Sequence, residues 1–331
     1  MKKWKMKLNS GESIQLAPLD AAIDLSIIIV SWNVSGLLKN CLDSVFCTGQ
    51  DLNLQVIVVD SGSVDDSCEM IRTHFPQVDL FDIQENVGFP KGNNIGMQAA
   101  NGRNILLLNP DTIVKNGAFE SMLTFLDSDE ATGLVGPKLE FPNGSIQSSR
   151  RRFPTVLTGV FESTWFEKLA PQNLLESYYM VDHSDDDICE ADWVMGAAML
   201  AKREAIEKTG GMDEDYFMYS EELDWCKRIK LAGYKIYWLP HAEIIHYQGA
   251  SSDQASTFRH INFNRAKLRY FRKYHGLKAS GFIRLVLLFN FGLQILVEST
   301  KWVLGHKRSL RSQRVNAYLQ VLKSGLRPAG Y

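Results

Sequence analysis

Near-continuous apolar runs at Leu25 to Val30, Leu54 to Val59 and Asn104 to Leu108 are rich in branched side chains, the pattern of strands buried on both faces. A weaker strand pattern covers Val78 to Ile83. Between these runs the apolar period changes to that of a helix. Leu37, Leu38, Cys41, Leu42 and Val45 share one helical face, and further helices are expected at about Asp65 to His74, from near Lys91, and at about Gly117 to Leu126. Strand alternating with helix implies parallel βαβ units with right-handed crossovers, hence an α/β doubly wound, mostly parallel sheet. Residues 132–152 read as an extended segment with a hairpin signal at Pro142-Asn143-Gly144. Residues 153–187 carry no period and read as a mobile surface excursion. Regular pattern returns at Ala191 to Leu200. Helices follow at Arg203 to Thr209 and about Ser220 to Ala232, then strands at Lys235 to Leu239 and Glu243 to His246. This divides the chain into a ragged lead-in (1–24), a core domain (25–258) and a helical extension (259–331).

Several strands end in polar residues. Asn109-Pro110-Asp111-Thr112 follows the Asn104 run; Pro110 stops a central strand, so the Asp111 carboxylate stands just beyond it, where open α/β sheets bind ligands. Asp111 followed by a hydroxyl suits a divalent cation holding a diphosphate, and the same four residues have turn composition. Ser31-Trp32-Asn33 and Asp60-Ser61-Gly62-Ser63 end the first two strands. Asp60 can accept an N–H from a base on which Trp32 stacks, or it can serve as a turn residue. The loop Asn86 to Gly96, with Asn86, Gly88, Lys91 and Asn93, opens a helix whose N-terminus favours anions. It is not a P-loop, and no GxGxxG follows the first strand, which disfavours a nicotinamide dehydrogenase. On the Ser220 helix, Glu222 neighbours Trp225, Cys226 and Ile229, whereas Glu221 and Asp224 neighbour charged residues. Glu222 is therefore expected on the buried face as a general base of raised pKa, and Glu221 and Asp224 in solvent; a helix-cap carboxylate is the alternative. His246 ends the last strand as a structural residue or a metal ligand.

Charge changes the picture at the C-terminus. The net charge is −2, but residues 259–331 hold 15 Lys and Arg against the single acid Glu298, or +14. Elsewhere stand the other 21 of 36 basic and 37 of 38 acidic residues, or −16. The 13-residue apolar run Leu285 to Val297 precedes Lys301, Lys307, Arg308, Arg311 and Arg314. It is shorter than the roughly 18 residues of a spanning helix and suits the headgroup region of an anionic leaflet. A helical cap or a homodimer interface is the alternative. The tail carries no nucleic-acid-binding module, so no nucleic-acid partner is expected. Five cysteines, odd in number and without CxxC spacing, and no secretory signal fit a cytoplasmic protein.

The motifs Val58 to Asp65, Asn86-Val87-Gly88-Phe89, Leu108-Asn109-Pro110-Asp111, Asp192 to Ala197, Gly211 to Glu214 with Glu221 to Asp224, and Ile245-His246 occur in chain order. Together they resemble glycosyltransferase family 2, and especially its rhamnosyltransferase-like branch, over about Leu25 to Ser252. The resemblance implies a GT-A fold and inverting sugar transfer from a nucleoside diphosphate donor in cell-surface polysaccharide synthesis. It favours rhamnose from dTDP-rhamnose and a saccharide acceptor on polyprenyl diphosphate at the cytoplasmic face of a membrane. A UDP-hexose donor, or a nucleotide-sugar-binding protein without catalysis, stays open. Carried over, Asp60 recognises the pyrimidine beside Ser31 to Asn33, and Asp111 and His246 hold Mg2+ or Mn2+. Asn109 replaces the first acid of the Asp-x-Asp motif. Asp192, Trp193 and Gly196 line the sugar and the acceptor. The base falls in the pair Glu221-Glu222, with Glu222 where the family usually has Asp.

Overall fold

A computed structural model describes residues 14–248 and 256–327. The chain divides into two compact units, one comprising described residues of Met1–Phe153, His183–Phe217 and Glu221–Ser251, the other those of Pro154–Asp182, Met218–Ser220 and Ser252–Tyr331.

In chain order the first unit contains β1 (Leu25–Ser31), α1 (Ser35–Thr48), β2 (Leu54–Ser61), α2 (Ser67–His74), β3 (Asp79–Ile83), α3 (Phe89–Ala99), β4 (Asn104–Leu108), β5 (Thr112–Val114) and α4 (Ala118–Ser128). There follow β6 (Thr132–Glu140), β7 (Ile146–Gln147) and β8 (Arg150–Arg151), and then, after the excursion into the second unit, β9 (Cys189–Glu190), β10 (Trp193–Val194) and β11 (Ala198–Lys202). The strands β1, β2 and β4 are buried almost throughout, as their unbroken apolar runs require, and the α1 face formed by Leu38, Cys41, Leu42 and Val45 covers them. The expected hairpin forms between β6 and β7, with Gly144 at φ +81°.

The main sheet runs β3-β2-β1-β4-β11-β6 and continues to the last strand, β12 (Lys235–His246), and β5. The pairs β3–β2, β2–β1, β1–β4 and β6–β12 are parallel, while β11 lies antiparallel to both β4 and β6. The apolar run of β11 carries no sign of its direction, because period and hydrophobicity are the same for either pairing. The two strands expected at 235–239 and 243–246 are one, with a register shift between Leu239 and Glu243.

Over 14–24 the lead-in forms no helix or strand and is tied to the first unit by hydrogen bonds; residues 1–13 lie outside the described residues. The Asp20 N–H donates to Asn101 O (2.8 Å), the Asp24 N–H donates to Asn53 O (3.0 Å), and Arg203 donates to Ala17 O. Backbone bonds of this kind leave no trace in hydrophobic periodicity.

In the second unit, Pro154–Asp182 is not a loose excursion. It holds α5 (Val156–Phe161), a 3-10 turn (Trp165–Leu169) and α6 (Gln172–Tyr178), each too short to display a 3.6-residue period. These pack with the C-terminal helix α9 (Ser256–Val303). Lys267 donates to Glu162 O (2.8 Å) and pairs with its carboxylate (2.6 Å), and Asn290 Oδ1 accepts the Trp165 N–H (3.0 Å). Gly276 breaks α9 at φ 84°, ψ 172°, a backbone region that only glycine occupies without strain. The last helix, preceded by α7 (Arg203–Thr209) and α8 (Glu221–Leu231) of the first unit, is α10 (Arg308–Ser324). Glu298, the one acid of residues 259–331, is buried between α9 and α10 and pairs with Arg311 at 2.6 Å.

By length and composition α9 is apolar enough to cross a membrane, with a mean hydropathy of 1.8 over eighteen residues. Counting an uninterrupted run misses this, since a run stops at each polar residue and an average does not. Its exposed apolar side chains, Phe282, Leu285, Phe289 and Leu296, recur at spacings of three, four and seven and so form one stripe, opposite the buried Ile283, Leu287 and Phe291.

Candidate active site

The turn after β4 is built from its own polar groups. Thr112 Oγ1 donates to Asn109 O (2.7 Å), and the Asn109 N–H donates to Ala197 O, just before β11 (2.8 Å). Beneath it the Cys41 thiol is fully buried, and burial pushes its pKa up to about 12, so it is an inert packing group. The antiparallel register of β5 and β12 sets Thr112 opposite His246, and the Tyr247 N–H donates to Asp111 O (2.9 Å). That pairing brings two residues remote in sequence together: His246 Nε2 stands 3.4 Å from Asp111 Oδ1, both side chains being buried. On its other side His246 Nδ1 meets Gln147 Oε1 at 2.9 Å, a partner that the sequence reading missed.

Three side-chain oxygens at neighbouring strand ends have no hydrogen-bond partner among the described residues. They are Ser31 Oγ at the end of β1, Ser61 Oγ at the end of β2 and Asn109 Oδ1 just after β4. The registers Ile29↔Leu108 and Ser31↔Asp60 make these ends neighbours. A buried acceptor left unpaired costs about 1–3 kcal/mol, a cost that a bound polar ligand would relieve. One carboxylate and one imidazole form a mixed oxygen and nitrogen donor set that a divalent cation such as Mn2+ would accept, with diphosphate oxygens and water to complete it. The cluster of Asp60, Cys68 and Asp82, whose ligand atoms lie within 4.8 Å of one another, suits one less. Ser63 donates twice to Asp60, Arg72 pairs with Asp82, and burial raises the Cys68 thiol to about 12, far from a thiolate ligand.

Asp60 is fully buried, Ser31 lies beside it in register, and Ser63 ties its carboxylate to the Asn33 N–H. Ser63, also missed, thus locks the two loops that flank the base position expected for Asp60, Trp32 and Asn33. At the α3 end, Asn86 Oδ1 accepts the Gly88 N–H (3.0 Å), and the buried Asn93 amide donates back to Phe89 O (2.9 Å). Lys91 is half-buried in the first turn of that helix. Gly88 sits at φ 79°, ψ 167°, and a Cβ there would come 2.5 Å from Phe217 O. Gly88→Ala is therefore expected to cost at least about 1–3 kcal/mol, read as a lower urea midpoint.

The α8 carboxylates differ from expectation. Glu221 and Asp224 are buried, and Glu222 is half-buried with its Oε2 enclosed. Glu221 and Leu223 to Cys226 are all buried, so more than one face of α8 is covered and a one-face periodicity argument fails there. Asp224 is compensated by Arg228 (2.9 Å), whose guanidinium also donates to Thr209 O and Gly211 O. Glu221 Oε2 and Glu222 Oε2 have no partner among the described residues. Burial raises the pKa of Glu221 well above 4.5, and the charge of Glu222 raises it further. Burial also raises Glu222, against the pull of the first-turn N–H groups and of Arg151. The two residues before the helix, Tyr219 (φ 77°) and Ser220 (φ 62°), hold left-handed backbone, a strained entry to a helix.

Gly196 adjoins Glu222: a Cβ on Gly196 would lie 3.4 Å from Glu222 Cβ. Trp193 stands in β10, its indole N–H donating to Arg152 O (3.1 Å) and its ring 5.8 Å from Arg151. Asp192 accepts the Phe153 N–H (2.8 Å) and pairs with Lys230 (3.1 Å), so its carboxylate is engaged in holding the segment.

The model of the family described as Glycosyl transferase family 2 matches residues 26–202, more than half of the 331. The chain belongs to this family. Among its relatives, the rhamnosyltransferase WbbL of Escherichia coli K12 is 30% identical over 70% of this chain and 86% of its own. The N-acetylglucosaminyl-diphospho-decaprenol L-rhamnosyltransferase of Mycobacterium tuberculosis is 25% identical over 69% of this chain and 77% of its own. In structure this family 2 glycosyltransferase is similar to the mannosyltransferase PcManGT of Pyrobaculum calidifontis, solved with GDP-Man and Mn2+. The TM-score is 0.55 at 16% identity, over 94% of this chain and 90% of that one. The fold is GT-A, with the helical C-terminal segment added.

Proposed function

We propose that this family 2 glycosyltransferase moves L-rhamnose from dTDP-L-rhamnose, with inversion, to a saccharide on polyprenyl diphosphate during cell-surface polysaccharide synthesis. The observation that carries the reading is the pairing of Asp111 with His246 beside the unpartnered Ser31 and Asn109 oxygens. The rhamnosyl choice draws on the names of the E. coli and M. tuberculosis relatives, and the lipid-linked acceptor on the latter. Asp60, with Trp32 and Asn33, would receive the base, and the α3 N-terminus with Lys91 the phosphates. Trp193 and Gly196 would border the sugar and acceptor. Asp111 and His246 would hold Mg2+ or Mn2+, which when bound supplies positive charge to the leaving diphosphate. Glu222 takes the proton from the acceptor hydroxyl as that oxygen bonds to the anomeric carbon. The bond from that carbon to the diphosphate breaks on the opposite face, which inverts the centre. Product formation from dTDP-rhamnose, UDP-glucose and UDP-galactose with Mn2+ and a polyprenyl-diphosphate saccharide tests this. Rhamnosyl product alone is expected, and turnover with a UDP-hexose alone sinks the rhamnosyl reading.

An acceptor of that kind lies at a membrane. We infer that the α9 stripe and the cations after it, Lys301, Lys307 and Arg308, seat the enzyme on the anionic cytoplasmic leaflet. In this reading α9, packed on one face against its own unit, lies in the interface with the stripe toward the lipid. The full chain is expected to co-sediment with vesicles rich in phosphatidylglycerol, less so at 0.5 M salt, and weakly with phosphatidylcholine alone. Phe282→Ser with Leu285→Ser should reduce binding at least about tenfold. Undiminished binding by that variant, or a dimer in which the stripe is protected from labelling, overturns the membrane assignment.

A further inference from the structure

Beneath the Asp111–His246 pair lies a group that the proposed chemistry does not use. Gln147 is buried on β7, the short strand paired with β6, and both polar atoms of its amide are engaged by His246. Its Nε2 donates to the His246 backbone carbonyl at 2.6 Å, and its Oε1 meets His246 Nδ1 at 2.9 Å. The backbone carbonyl decides how the amide is oriented. Turned the other way, Gln147 would set oxygen against oxygen at hydrogen-bond distance. Oε1 therefore faces the ring, and an amide oxygen only accepts, so Nδ1 must carry the proton.

In a neutral imidazole the lone pair is then on Nε2, the nitrogen that faces Asp111 Oδ1 at 3.4 Å. Nε2 and Asp111 Oδ1 are then two acceptors that face each other across 3.4 Å. Ligands in adjacent positions of an octahedral ion, each at about 2.1 Å, stand roughly 3 Å apart. A carboxylate at 147 would accept from Nδ1 but offer no N–H to the carbonyl. The amide makes both bonds and adds no charge.

We propose that Gln147 is a positioning residue: it holds His246 as the Nδ1–H tautomer, so that Nε2 and Asp111 present lone pairs to one divalent cation. The inference rests on the reading of Asp111 and His246 as the cation site. It extends that reading to a residue on a different strand, whose own contact is with the imidazole and not with the ion.

The test uses full-length protein labelled with 15N-histidine, with long-range 1H–15N correlation spectra at fixed neutral pH and the His246 signals assigned by His246→Asn. Mn2+ binding is followed in parallel by electron paramagnetic resonance. The wild type is expected to show the Nδ1–H pattern. Gln147→Ala, or the nearly isosteric Gln147→Met where alanine impairs folding, should move His246 to the Nε2–H tautomer or to a mixture. Either variant should also weaken Mn2+ about 10- to 100-fold. Gln147→Glu, which keeps the acceptor, should keep the Nδ1–H pattern. An Nε2–H pattern in the wild type, or unchanged tautomer or Mn2+ affinity in both the alanine and methionine variants, overturns the positioning role. An Nδ1–H wild type that binds no Mn2+ overturns the cation site itself, while leaving Gln147 as the group that orients the ring.

Discussion

Glu222→Gln is expected to lower sugar transfer by about 100- to 10,000-fold, the usual contribution of a positioned general base, with donor affinity nearly unchanged. The amide keeps the length of the side chain and its place beside Gly196, and loses only the ability to take a proton. The neighbouring Glu221→Gln should cost far less. Glu221 is the more deeply buried of the pair, and its burial and the charge of Glu222 both favour its neutral form, which an amide imitates. Two pH effects follow from the raised values. Transfer needs ionised Glu222, so the acid limb of the rate profile should lie above the ordinary carboxylate range near 4.5 and rise with pH. Stability should move the other way. Above 4.5 the unfolded chain has released the proton that folded Glu221 keeps, so stability falls as pH climbs toward the folded pKa, and Glu221→Gln should flatten that slope. Rates and urea midpoints of the wild type and both variants across pH 4–8 check this. Equal losses in the two, or full turnover in Glu222→Gln, would remove Glu222 from the role.

Asp111→Asn should abolish tight Mn2+ binding and lower transfer about 1,000-fold, in line with the several kcal/mol a cation gives to developing negative charge. The variant should fold normally. The Asp111 backbone carbonyl still accepts the Tyr247 N–H, Thr112 still closes the turn onto Asn109 O, and asparagine is as good a turn residue as aspartate. A turnover deficit with an unchanged melting temperature is thus the expected signature, read beside Mn2+ titration. Wild-type Mn2+ affinity and rate in this variant would sink the cation assignment.

Much of the first unit was legible because a strand buried on both faces needs unbroken apolar sequence. Leu25 to Val30 and Asn104 to Leu108 lie where the pattern put them, and Pro110 ends the second as its missing N–H requires. What failed did so where period carries no information. The helices of Pro154–Asp182 are shorter than two full turns. On α8 the burial pattern departs from one-face amphipathicity, so Glu221 and Asp224 are interior although their sequence neighbours are charged.

By itself, then, the sequence determined the α/β alternation, the polar residues at the strand ends and the carboxylate pair opening α8, because local period, chain stops and motif order are properties of neighbouring residues. Only tertiary structure decided which carboxylate is buried deepest, that β11 enters antiparallel, and that Asp111, His246 and Gln147 meet. The last two depend on register between strands, and pairing across a sheet is set by what each strand finds opposite it; the first depends on how many faces of α8 are covered.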